Sequence, residues 1–172
     1  MASAFRFEGR KVRLTVGSRM SIIERDALLH YAHFICIFLL ASLLAGEVFL
    51  LRKSLPRDGV TQIQGIDRYY GIVAGLVIVT GLLLVFFGEK GAAYYAHNVI
   101  FWVKMAIFVT IALISIAPTV AYLRWNQRLA PDGSIVLEDA EYRQLRTLLW
   151  VQVGLFVLLP LCASLMANGI SL

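Results

Sequence analysis

Residues 69–87 read YYGIVAGLVIVTGLLLVFF, a run with no charged side chain. The hydrocarbon core of a bilayer is about 30 Å thick and an α-helix rises about 1.5 Å per residue, so a span needs about 20 mostly apolar residues. This run meets that length. Backbone groups in lipid must find their hydrogen bonds within the segment, which makes a helix of it. Strands of a membrane barrel are shorter and alternate in polarity, and this run does not alternate. Three further runs of the same kind lie on either side, at residues 28–51, 99–122 and 148–167. Short connections make antiparallel neighbours. The expected fold is therefore all-α, an integral membrane four-helix bundle of up-down topology over residues 28–172, preceded by a polar N-terminal tail, residues 1–27.

Composition agrees. Of 172 residues, 59% are hydrophobic and 16% charged, and mean hydropathy is +0.75, too apolar for the surface of an ordinary soluble domain. The first 26 residues are mixed in charge and hold no short apolar core with a small-residue cleavage site, so they do not read as a cleaved signal. The stretch around Arg6, Arg10, Lys11 and Arg13 reads as a frayed or surface-lying tail. Net charge is +5, but the basic residues bracket the spans, where they meet lipid headgroups, so the expected partner is the bilayer and not nucleic acid. Cys36 and Cys162 both fall inside spans, with no zinc spacing and no disulfide framework. Residues 126–142, with a Pro131-Asp132-Gly133-Ser134 turn, read as a solvated connector. No phosphate loop, nucleotide fingerprint, Ser-His-Asp order or metalloprotease helix is present.

An even number of spans puts both termini on one side. Arg52, Lys53, Arg68, Arg124 and Arg146 adjoin spans on the side of the first and third connections, against Arg25 and Lys90 opposite. Basic residues beside spans favour the cytoplasm, so the expected orientation has those connections cytoplasmic and the termini outward.

Polar side chains within spans are costly, and each is a functional candidate. They are His30, His33, Glu47 and Lys104, with His97 at the lip of the third span. His30 and His33 are one turn apart on neighbouring faces. In an up-down bundle the first and third helices run parallel, so all three histidines and Lys104 approach one membrane side, with His33 and Lys104 at similar depth. That arrangement suits a flat ligand held between helices. Neutral imidazole is a common metal ligand and the usual axial ligand of haem. A lysine there pairs with a propionate or another carboxylate, or, if deprotonated by burial, ligates or acts as a base. The plainer alternative is that the histidines bond lipid or backbone carbonyls and the lysine snorkels along its stem. Glu47 reads first as an ion-pair partner of Arg52, Arg68 or Arg124, and alternatively as a proton-relay carboxylate.

The rest reads as architecture. Gly71 and Gly75 form a GxxxG, and Ala41, Ser42, Ala45 and Gly46 repeat small residues, which allows close helix approach within the bundle or in a homo-oligomer, most simply a dimer. Pro118 and Pro160 are expected to kink the third and fourth spans. Trp102, Trp125 and Trp150, with Tyr69, Tyr70, Tyr94, Tyr95 and Tyr122, sit near span ends as an aromatic belt.

The stretches LHYAHF (29–34), FGEKG (87–91), HNVIFWVK (97–104) and SIAPT (115–119) resemble a family of small bacterial membrane proteins of unknown function, from Ile23 into the fourth span. This resemblance implies a multi-pass protein of the bacterial inner (cytoplasmic) membrane. More distantly, a first-span histidine and a Trp-x-Lys motif opening the third span, Trp102 to Lys104, look like the HemJ-type protoporphyrinogen IX oxidases, and the copper-resistance protein D family is similar in layout. The HemJ-type resemblance implies haem b, with the histidine mapping onto His33 or His30 and the lysine onto Lys104. The candidate cofactor-binding residues are thus His33, Lys104, His30 and His97, with His33 as metal ligand, and the expected role is electron transfer or oxidation with a quinone or other membrane redox partner. The alternatives are a non-catalytic accessory or assembly protein, and a copper or small-molecule permease.

Overall fold

The computed structural model describes the backbone of residues 2–168 and the side chains of residues 24–166 and of Asn168. The apolar runs form four long helices: α1 (Ala2–Leu50), α2 (Arg57–Phe87), α4 (Val99–Trp125) and α5 (Asp139–Ala167). A six-residue helix, α3 (Gly91–Ala96), lies between α2 and α4, and two short strands, β1 (Ser54–Leu55) and β2 (Ile135–Val136), lie in the other two connections. Spans of 27, 31, 27 and 28 residues are long and apolar enough to cross a membrane, the first being Glu24–Leu50 within α1. The side chains of the expected tail, residues 1–23, lie outside the described residues; the backbone of α1 is helical from Ala2.

The helices pack as two hairpins, α1 with α2 and α4 with α5, which meet through α1 against α5 and α2 against α4. This is the up-down bundle expected from the runs, and it leaves α1 and α4 on a diagonal. Each helix turns a narrow stripe inward: Leu40 and Leu44 of α1, Tyr70, Val73 and Val77 of α2, Ile111 of α4, and Leu149, Phe156 and Leu159 of α5. Large apolar side chains on the other faces, such as Ile72, Leu113 and Val157, remain exposed for lipid. Lipid is as apolar as leucine, so close van der Waals fit holds such helices together. Gly46 provides some of it, since a Cβ there would stand 3.1 Å from Ile66 Cδ1 of α2.

Both hairpin connections are tied at one end of the bundle. β1 and β2 pair antiparallel, Ser54 with Val136 and Leu55 with Ile135, and Leu137 N–H donates to Lys53 O at 2.9 Å. Leu55, Ile135 and Leu137 turn inward over Tyr122 and Trp125, whose rings meet edge-on with centroids 4.9 Å apart. Trp125 Nε1–H donates to Glu141 Oε1 at 3.0 Å, and Arg128 binds the same carboxylate at 2.9 Å. In the turn of residues 131–134, Asp132 Oδ1 accepts from the backbone and hydroxyl of Ser134, which holds its carboxyl below the usual range. Gly133 there has φ +80, a conformation that favours glycine.

This capping layer departs from the sequence expectation in three ways. The 126–142 connector is not wholly solvated, because it supplies β2 and the first turn of α5. α2 begins at Arg57 and α5 at Asp139, about three and two turns earlier than the apolar runs, since amphipathic turns carrying Val60, Ile63 and Leu145 have apolar groups to bury but too little mean hydropathy to read as span. Trp125, Tyr122 and Tyr70 are buried rather than belt residues, whereas Trp102 and Trp150 are exposed. Helix continues through both Pro118 and Pro160.

At the other end Asp26 joins α1 to the α2–α3 link: its Oδ1 accepts from Glu89 N–H at 2.9 Å, and Arg25 donates to Phe87 O at 3.3 Å. A Cβ on Gly88 would lie 2.3 Å from Leu84 O, so only glycine fits that corner without a shift. α4 starts where the sequence indicated, because buried Asn98 caps it by accepting from Ile100 and Phe101 N–H.

Trp125 is fully buried at the centre of the cap. Trp125→Ala is expected to cost about 3–5 kcal/mol, as large-to-small core changes do. Thermal unfolding of the detergent-solubilised protein measures it, and an unchanged midpoint would show that the cap does not stabilise the bundle.

Candidate functional site

The expected site residues divide into two that turn inward and two that do not. His33, about two turns into the first span, is half-buried. Its Nδ1 lies 2.9 Å from Thr80 Oγ1 of α2. The threonine hydroxyl has one proton and gives it to Leu76 O at 2.8 Å, the usual back-bond of a helical threonine. With that proton spent on Leu76 O, Thr80 Oγ1 is an acceptor for Nδ1–H, and a neutral ring bonded in this way carries its lone pair on Nε2. The ring lies against Gly81 of α2, where a Cβ would meet His33 Cε1 at 3.4 Å, an ordinary contact.

Lys104, nearly two turns into α4, is also half-buried and lies within electrostatic reach of His33 and of Cys162 on α5. No carboxylate pairs with it among the described residues. All four long helices thus contribute to this end of the bundle: His33 from α1, Thr80 and Gly81 from α2, Lys104 from α4 and Cys162 from α5.

His30 and His97 are exposed. His30 Nδ1 meets Asp26 O at 2.9 Å and Asp26 Oδ2 at 3.3 Å, and His97 Nδ1 meets Ala93 O at 2.8 Å. The described residues hold no group of three or more His, Cys, Asp or Glu side chains arranged for a metal ion.

A second polar cluster lies near the opposite end, beneath the cap; of its members the sequence reading named Glu47 as a functional candidate and placed Tyr70 and Tyr122 in the aromatic belt. Glu47 of α1 is 3% exposed. The expected ion pair with Arg52, Arg68 or Arg124 is not formed: no cation pairs with Glu47 among the described residues, and its Oε1 has no hydrogen-bond partner. The reason is direction. Glu47 faces the bundle interior, where Asp67 and Tyr70 of α2 and Tyr122 of α4 are within its electrostatic reach, whereas Arg52, Arg68 and Arg124 are exposed. Asp67 Oδ1 accepts from Thr119 Oγ1 at 2.7 Å. Tyr70 donates to Gln152 Oε1 of α5 at 3.4 Å. Gln152 is 1% exposed, and its Nε2, like the hydroxyl of Tyr122, is buried without a partner.

A cavity of 220 Å³ opens beside this cluster between α2 and α4. Asp67, Arg68, Ser115 and Thr119 form its polar part, and Leu40, Phe108, Ile111 and Phe156 are among its apolar walls. Neither His33 nor Lys104 lines it. Gln152 was legible as a polar residue inside the fourth apolar run. Asp67 was not, because it lies just outside the second.

The model of a family described as "Predicted membrane protein (DUF2214)" matches residues 25–171, which takes in both clusters. No curated protein and no solved structure matches the chain.

An uncompensated buried carboxyl has a distinctive response to substitution. Breaking a buried ion pair costs about 3–5 kcal/mol, whereas an unpaired carboxyl loses nothing when made neutral at constant shape. Glu47→Gln is therefore expected to leave the unfolding midpoint in detergent unchanged or raised. A large fall in the midpoint would reveal a cation partner for Glu47.

Proposed function

The chain belongs to this DUF2214 family of membrane proteins, and we propose that it binds haem b at His33 and serves electron transfer or oxidation within the bilayer. One observation carries the reading. His33 Nδ1 lies 2.9 Å from Thr80 Oγ1, whose own proton goes to Leu76 O, so a neutral ring held there would present its Nε2 lone pair in a half-buried position. Metal-ligating histidines have this arrangement, with the far nitrogen fixed by a neighbour so that the near one is oriented and electron-rich.

The donor types suit the group. His33 would hold the iron, and Lys104, with no carboxylate paired to it among the described residues, would meet a propionate or serve as a further ligand. α1 and α4 stand on a diagonal without substantial packing between them, so a ligand held by His33 and Lys104 bridges helices that do not otherwise hold one another. Haem contributes one-electron chemistry. The protein's part is to fix the ring, hold a cation near it and keep water away. A quinone or another membrane redox protein is the matching class of partner. The proposed setting is the bacterial inner membrane with the capped end cytoplasmic, because Arg52, Lys53, Arg68, Arg124 and Arg146 adjoin spans at that end.

A second reading, a non-catalytic assembly protein, rests on α2. Its GxxxG is not used inside the bundle, since a Cβ on Gly71 or Gly75 would meet nothing within 4 Å. That face admits close approach of a partner helix, most simply from a second copy. Gly75→Leu then lowers the oligomer mass measured by light scattering in mild detergent, and an unchanged mass removes this interface.

For the haem reading, protein purified from haem-replete cells shows a Soret band that shifts on dithionite reduction. His33→Ala removes most of the haem from a protein that still inserts. Thr80→Val weakens binding about 10–100-fold, the usual effect of losing the group that orients a ligating histidine. Lys104→Ala weakens binding or shifts the spectrum, and His30→Ala has a smaller effect. A colourless wild-type protein, or full haem content in His33→Ala, overturns the reading.

A further inference from the structure

We propose that Glu47 and Asp67 form a buried proton-binding site, loaded through the cavity between α2 and α4 that Asp67 lines. The site is built by all four long helices: Glu47 from α1, Asp67 and Tyr70 from α2, Thr119 and Tyr122 from α4, and Gln152 from α5. Two carboxyls lie within electrostatic reach of each other, and no cation pairs with either among the described residues. Ionised together in such a place they repel, and each loses hydration without gaining a cation. Taking up a proton relieves both costs.

Three buried atoms of the cluster carry unspent hydrogen-bonding capacity: Glu47 Oε1, an acceptor, Tyr122 Oη, which donates or accepts, and Gln152 Nε2, a donor. A purely structural network uses up such capacity, because each unsatisfied buried group is destabilising. The other titratable groups acting on the pair are Tyr70 and Tyr122. Arg68 also lines the cavity, with its side chain exposed, and α5 contributes the neutral Gln152.

The ligand is the proton rather than a metal ion. The described residues hold no metal-type group of three acids, histidines or cysteines, and Gln152 Nε2, a donor, is unsuited to a cation. Asp67 meets the cavity and Glu47 lies behind it. Loading transfers a proton from water or a buffer acid to the Asp67 carboxylate and leaves the conjugate base in solution. Passing that proton to the Glu47 carboxylate restores Asp67 as an anion.

The test is infrared difference spectroscopy of the full chain in liposomes across a pH step. Wild type is expected to show a protonated-carboxyl C=O band that shifts in D₂O and does not respond to exchanging potassium for sodium. Glu47→Gln and Asp67→Asn each shift or diminish it, and the double variant abolishes it. Both changes preserve shape, and a thermal melt of each variant confirms folding. Ala74→Leu, which narrows the cavity, keeps the band and slows its exchange with D₂O by about tenfold, which is 1.36 kcal/mol in barrier. The proposal is overturned if no carboxyl band titrates in wild type, if the band survives the double variant, if sodium displaces the proton at fixed pH, or if exchange in Ala74→Leu is as fast as in wild type.

Discussion

Helices in a bilayer gain nothing by hiding apolar side chains from one another, so apolarity alone inserts them without arranging them. What arranges them here is the obligation of polar groups to find partners away from water. Asn98 fixes where α4 begins, Asp26 holds the α2–α3 corner against α1, and the β1–β2 pair joins two connections that are distant in sequence. Gln64, reaching across from α2 to Tyr122 O of α4 at 2.6 Å, adds a strut just below the cap. These contacts sit at the two ends of the bundle, and the spans between them are free to present leucine, valine and isoleucine to lipid on most of their surface.

The same economy explains how much could be read from sequence. Four spans, their order and the start of α4 were legible because apolar run length and a capping asparagine are local properties. The cap was not. Val60, Ile63, Leu145 and the β-strand residues are apolar one at a time among charged neighbours, and only pairing across 80 residues of chain shows what they bury. Glu47 was visible as an intramembrane acid, but its partner was assigned by proximity along the chain to arginines. Side-chain direction decided otherwise and set it against Asp67. His33 and Lys104 were correctly seen as sharing one end of parallel helices. Thr80, which bonds His33 across from α2, was hidden because a threonine in a span more often satisfies its own helix.

The polar groups that do not serve architecture separate into two sets. Around His33 the chain places an imidazole bonded to Thr80 and a lysine with no carboxylate paired to it among the described residues. Around Glu47 it places two carboxyls and buried polar atoms without partners. One set spans the diagonal helices α1 and α4, and the other lies beneath Trp125, Leu137 and the paired strands, with a cavity at its side.

The strand pair has a mechanical consequence. It joins the α1–α2 and α4–α5 connections at the capped end, while the α2–α3–α4 link joins the same two hairpins at the other, where Tyr94 Oη donates to Met166 O at 3.1 Å. Two hairpins fastened at both ends cannot splay open at either one without stretching chain or breaking these bonds, so the ends act as clamps on the spans between them.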